Sequence, residues 1–162
     1  LRTIEDAPIT VGIRSDISSH IVDHKLRVLG SDRVGGVCSS GLGGRSFTRG
    51  IASSAVVFAA RCSVADAAAT EIANHTYIQS SGIRRIQAKE LDPDSDIKDL
   101  EITIGFDKLT EREINEALDK GLARAEQLTG QGLILGAFLN VCGRMATCGS
   151  IFSRLEHVRL QS

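Results

Sequence analysis

The stretch from Gly35 to His75, GGVCSSGLGGRSFTRGIASSAVVFAARCSVADAAATEIANH, constrains this fold more than any other. Ala55 to Ala60 is a short apolar run that needs a partner on both faces, which predicts a central strand. Two glycine clusters before it flank polar side chains, and a small-residue segment follows it. The predicted order is therefore strand, glycine-rich turn, strand and helix. Ser63 reads as the helix N-cap, with Asp66 three residues on, where a carboxylate favours the positive end of the helix. Asp66 and Thr70 are four apart, so their oxygens share one helical face. That pair is the candidate site.

A chain of 162 residues is long enough for one domain with a real core. With 42% hydrophobic and 24% charged residues it has the balance of a soluble globular protein. A net charge of -1 gives no basic surface for nucleic acid or anionic membrane. Aromatics are 4% with no Trp, which removes the usual platforms for stacking bases, so the core must come from Ala, Val, Ile and Leu. Cys38, Cys62, Cys142 and Cys148 form no CxxC pair and sit in or beside apolar segments, as buried free thiols do. No apolar stretch approaches the ~18 residues of a membrane span, and no signal peptide is visible, which predicts a cytoplasmic protein. The first residue is Leu, so a lost leader stays open.

In chain order, LRTIEDAPITVGIRS predicts a strand with ITVGI as its body. Residues 16–29 are ambiguous between a short helical face (Ile17, Ile21, Val22, Leu26) and an extended LRVLG. His20 and His24 stand four apart, but there is no HExxH and no third ligand, so they read as solvated or partner-facing rather than as a zinc site. Cys38, Ser39 and Ser40 close a strand into Gly41, Gly43 and Gly44, where backbone N–H groups could cradle a phosphate with help from Arg45. A tight hairpin is the alternative, since the pattern is neither a P-loop nor GxGxxG. The absence of GxSxG argues against a serine nucleophile at Ser39 or Ser40.

Residues 83–90 and 100–106 alternate as half-buried strands do, and DPDSD between them reads as a solvated acidic turn rather than a calcium loop. Thr110 and Glu113 form a capping box, with Leu109 and Ile114 as its hydrophobic staple. Ile114, Ala117, Leu118, Gly121, Leu122, Ala125 and Leu128 then mark one apolar helical stripe. Gly130 and Gly132 end that helix before LILGAFLNV, an interior strand. From Gly149 the tail has a weak helical pattern and is expected to dock loosely. The whole predicts an α+β fold, a mostly antiparallel sheet with helices on one side, over residues 1–148 with a tail at 149–162.

PITVGI, GVCSSGLGG, ADAAAT, KELDPDSDIKDLEITIG and the capped helix leading to GLILGAFLN together resemble a group of ApbE-like proteins, relatives of the FAD:protein FMN transferases. The resemblance runs from about Pro8 to Thr147 and implies the C-terminal portion of such a protein, with the upstream Asn-Gly-Gly-Asp-like segment missing. Flavin transferases carry a similar D-A-x-A-T at their magnesium site. By that likeness Asp66 and Thr70 would offer side-chain oxygens to magnesium and Ala69 its carbonyl. Ser39, Ser40, Gly41, Gly43, Gly44 and Arg45 match a segment beside the bound nucleotide, which implies FAD as ligand. The implied reaction is transfer of FMN from FAD to a protein hydroxyl. The alternatives are a non-catalytic binder of a small phosphorylated ligand, and a half-module that forms a homo-oligomer or pairs with a missing N-terminal half. No residue stands out as general base, and His75 is a candidate only by its closeness in sequence.

Overall fold

A computed structural model describes residues 7–16 and 19–158. The expectations that fall on Leu1–Asp6, on Ile17 and on the last four residues of the tail lie outside the described residues. Every residue of β4 (Ser54–Ala59) is buried, as a doubly covered strand requires. Its odd positions, Ala55, Val57 and Ala59, face one layer, whereas Val56 and Phe58 face another. Strand β4 pairs antiparallel with β3 (Gly36–Ser40) on one side and β7 (Gly136–Val141) on the other, and β7 pairs with β8 (Arg144–Cys148). The central sheet thus has the order β3-β4-β7-β8.

The helices α1 (Cys62–His75) and α2 (Glu111–Gly130) cover one face of that sheet, where Ala65, Ala68, Ala69, Ile72, Ala125 and Leu128 meet Ala55, Val57, Ala137 and Leu139. Small side chains on α1 allow this close approach. A second sheet covers the opposite face, built from β1 (Ile9–Ile13), β2 (His24–Val28) and β9 (Leu155–His157) in the order β1-β2-β9. Leu26, Val28 and Ile13 pack there on Phe58 and Phe138. A separate antiparallel pair, β5 (Ile83–Gln87) and β6 (Glu101–Phe106), closes a third cluster around Ile51, Ile78, Leu109 and Val141. The fold is α+β with antiparallel strands and both helices on one side of the central sheet, as the sequence predicts.

Three local expectations change. The segment after Gly149 is integral: Ile151 and Phe152 are buried, the Phe152 ring meets Phe58 edge-on at 5.4 Å, and β9 pairs with β2. Its apolar residues read weakly because they lie in a 3-10 turn, Ser150–Arg154, followed by three strand residues. Residues 24–28 are a strand, so His20 and His24 share no helical face. His24 is buried rather than solvated, its ring 5.4 Å from Phe138 and its Nδ1 3.2 Å from the Asp23 carboxylate. Finally, helix α1 starts at Cys62 with Arg61 as N-cap and no side-chain cap. Ser63 is its second residue. The helix start is set by packing instead, since a Cβ on Gly36 would lie 2.2 Å from Cys62 Cα.

Candidate functional site

Helix α1 lies alongside β3, and three observations orient the two. Gly36 meets Cys62, the Cys38 thiol reaches the Cys62 carbonyl at 3.7 Å, and the Asp66 charge acts on the Cys38 thiol. Strand and helix therefore run in the same direction. Ser40 shares the Cys38 face and lies ~7 Å further along the strand. Four residues along the helix advance ~6 Å, so Asp66 and Thr70 keep step with it. Asp66 is exposed, Thr70 half-buried and Ala69 buried in the core.

One helical repeat on from Thr70, Asn74 shows what covers the same stripe. Its Oδ1 accepts the Arg49 N–H at 2.9 Å and the Thr48 hydroxyl at 3.2 Å. Residues 66, 70 and 74 span only ~80° of the helix circumference, so the end of the loop at Thr48 and Arg49 meets the same helical stripe that carries Asp66 and Thr70. Thr103 of β6 fixes the same end of the loop, donating its hydroxyl to Arg49 O at 2.7 Å and its N–H to Thr48 O at 2.8 Å. The other end is pinned by the Leu42 N–H on Ala52 O at 2.8 Å. Neither Asn74 nor Thr103 stood out in the sequence as part of the site, since both act through partners distant along the chain.

Between its anchors the loop turns tightly. Gly43 has φ +86°, a left-handed conformation that costs other residues roughly 1 kcal/mol or more, and the Gly44 N–H closes a turn onto Gly41 O at 3.1 Å. Among the described residues, the backbone N–H groups of Gly43, Arg45 and Ser46 donate to no protein acceptor, and the exposed Arg45 side chain makes no ion pair. Among the described residues, the buried Ser40 hydroxyl has no hydrogen-bond partner. A hydroxyl in that position normally finds one, because the unmade bond costs about 1–3 kcal/mol.

Two hollows flank the turn. Ser39, Ser40, Gly41 and Gly44 line a cavity of about 300 Å³ with the end of β1. Gly43, Gly44, Phe47 and Ile102 line another of about 330 Å³. Both are at the small end of the range for ligand sites. The structure therefore gathers Ser39, Ser40, Gly41, Gly43, Gly44 and Arg45 at the end of β3, with Asp66 and Thr70 on the adjoining helix. His75 is elsewhere. It is rotated ~140° from Thr70, bonds Glu71 O at 2.9 Å and faces a groove of about 700 Å³ between the helices.

The donor set has a definite chemical character. Among the described residues no group of three or more His, Cys, Asp or Glu converges as a metal site. One carboxylate, one hydroxyl and a helix carbonyl are hard oxygen donors, too few to cage an ion alone. They fit magnesium that keeps waters and substrate phosphates, which one or two carboxylates commonly hold. Among the described residues, no helix is long and apolar enough to cross a membrane.

Comparison with known proteins agrees with the ApbE-like resemblance. A UPF0280 protein from Methanococcoides burtonii is 42% identical over 81 residues, which are 49% of this chain and 34% of that relative. The chain thus spans about a third of the length of the curated relative it matches. The family model described as AbpE bacteria matches residues 1–147, and the chain belongs to that family.

Proposed function

We propose that the polar stripe of α1 and the glycine turn bind a magnesium-bridged phosphate of a flavin nucleotide, and that the whole protein transfers FMN from FAD to a protein hydroxyl. The observation that carries this reading is that exposed groups of opposite character stand on neighbouring elements. Among the described residues, the N–H groups of Gly43, Arg45 and Ser46 and the Arg45 side chain have no protein partner on the loop after β3, and the Asp66 carboxylate and Thr70 hydroxyl have none on the helix packed against β3. An anion bound between them would meet donors on one side and a cation-holding surface on the other.

Asp66 is the anionic ligand in this reading, with Thr70 and the Ala69 carbonyl as neutral ones. Ala69 O sits in the middle of α1, so the helix ladder takes one lone pair and leaves the second. When bound, magnesium supplies charge neutralisation at a pyrophosphate whose AMP portion departs. The loop N–H groups and Arg45 hold phosphate oxygens and orient them, and the orphan Ser40 hydroxyl gains a partner. His75 faces the groove between the helices, so no general base is assigned in this reading. The test is titration calorimetry with magnesium alone, FAD alone and both, followed by an assay for AMP release. Binding should require both components. Magnesium binding by itself would contradict this donor set.

A second reading is favoured by Leu91, Leu100 and Ile104, which stand 58%, 48% and 43% exposed around the two-stranded β5–β6 pair. In this reading the chain assembles with a second copy or with an N-terminal half. A monomeric mass by light scattering argues against the second copy.

A further inference from the structure

We propose that Cys38 and Cys62 form a redox-active dithiol that closes to an intramolecular disulfide on meeting a low-molecular-weight disulfide. This inference does not depend on the magnesium reading. The two residues are 24 apart in sequence and come from different elements, strand β3 and the first residue of α1, yet their sulfurs lie 3.6 Å apart. No spacing motif announces them. The fold creates the pair, because the missing Cβ of Gly36 lets the strand backbone lie against Cys62.

The contact is close enough for chemistry. A disulfide bond is ~2.05 Å long, so the sulfurs, now in van der Waals contact, need to approach by ~1.5 Å. Access also differs between the two. Cys62 is exposed and Cys38 half-buried, so a solvent-borne oxidant meets Cys62 first. Burial, the hydrogen bond and charge of Cys62, and the charge of Asp66 push the Cys38 thiol up to about 11.

The steps balance by thiol–disulfide exchange. The Cys62 sulfur, having lost its proton, attacks one sulfur of the disulfide reagent. The reagent's S–S bond breaks and its second half leaves as a thiol carrying one proton. The Cys38 sulfur, deprotonated in turn, attacks Cys62 and displaces the first half as a second thiol. Cys38 and Cys62 are oxidised by two electrons, and one disulfide is reduced to two thiols.

Cys142 and Cys148 provide an internal contrast. Burial pushes the Cys142 thiol up, and Cys148 has the Thr129 hydroxyl, not a thiol, at 3.5 Å. The experiment equilibrates the native full chain with glutathione buffers of rising oxidised fraction, alkylates free thiols and maps peptides by mass. The expected result is a drop from four alkylated cysteines to two in one step, with the Cys38 peptide cross-linked to the Cys62 peptide. Cys38→Ser should stop at a glutathione adduct on Cys62. Four alkylated cysteines in the most oxidised buffer, or a link that involves Cys142, Cys148 or a second chain, would overturn the proposal.

Discussion

The two helices lie side by side on the same face of the central sheet, yet they begin in different ways. Helix α2 caps its own first turn. The Thr110 hydroxyl and backbone N–H both donate to the Glu113 carboxylate, at 2.7 and 2.8 Å, and the Glu113 N–H returns to Thr110 at 3.3 Å. Its charges pair locally, as Lys120 does with Glu116 at 2.7 Å. Helix α1 has no side-chain cap, and among the described residues its Asp66 carboxylate and Thr70 hydroxyl make no hydrogen bond or ion pair. Both helices bury their apolar face equally well. The difference teaches that the start of α2 is fixed by its own side chains, whereas the start of α1 is fixed by packing against β3, with Asp66 and Thr70 left without a protein partner among the described residues.

That contrast can be pressed from either side. Phe152→Ala should cost about 4 kcal/mol, because it empties a site filled against Phe58. Chemical denaturation should show the loss, while FAD affinity extrapolated to the folded fraction stays unchanged. Gly36→Ala should cost about 3 kcal/mol, lowering Tm by roughly 10 °C, because the new Cβ pushes β3 off α1. Unlike Phe152→Ala it should also weaken nucleotide binding, since strand and helix jointly form the site. An unchanged Tm in Gly36→Ala would contradict the close approach that sets the start of α1.

Two smaller effects separate the helices directly. Thr70→Ala should reduce magnesium-dependent binding about tenfold and leave the unfolding midpoint within experimental scatter, as removal of one neutral ligand implies. Thr110→Ala should do the reverse, costing about 1 kcal/mol of stability with no change in binding. The cap also carries a pH signature. Backbone and side-chain hydrogen bonds from Thr110 lower the Glu113 carboxyl from its ordinary 4.5 to about 2. Its contribution is therefore complete above pH 4.5 and is lost as pH falls toward 2, and acid titration of Thr110→Ala should lack that component.

The same contrast explains what could be read from the sequence. Helix α2 was legible in full because its capping box, staple and apolar period are all local. Strands β4 and β7 were legible because a fully apolar run has only an interior to occupy. The tail was not, since Ile151 and Phe152 find their pocket against β2 and β4, far away along the chain. At the site, Asp66 and Thr70 share a face by simple periodicity, so that pair could be read directly. The unpartnered state of Ser40, the anchoring roles of Asn74 and Thr103, and the meeting of Cys38 with Cys62 all depend on how β3 lies against α1. No local pattern encodes that placement. Ser63 misled for the same reason: a good capping residue lies two positions past the actual N-cap, Arg61, because backbone contact at Gly36 decided where α1 begins.

The most direct measurement is calorimetric titration of FAD into the unaltered protein and Asp66→Asn, each with and without magnesium. The account predicts magnesium-dependent binding by the unaltered chain. It also predicts loss of that dependence in Asp66→Asn, with thermal unfolding unchanged because Asp66 is exposed and has no ion pair among the described residues. Equal magnesium-dependent affinity in both proteins would contradict the claim that the α1 stripe is the functional surface.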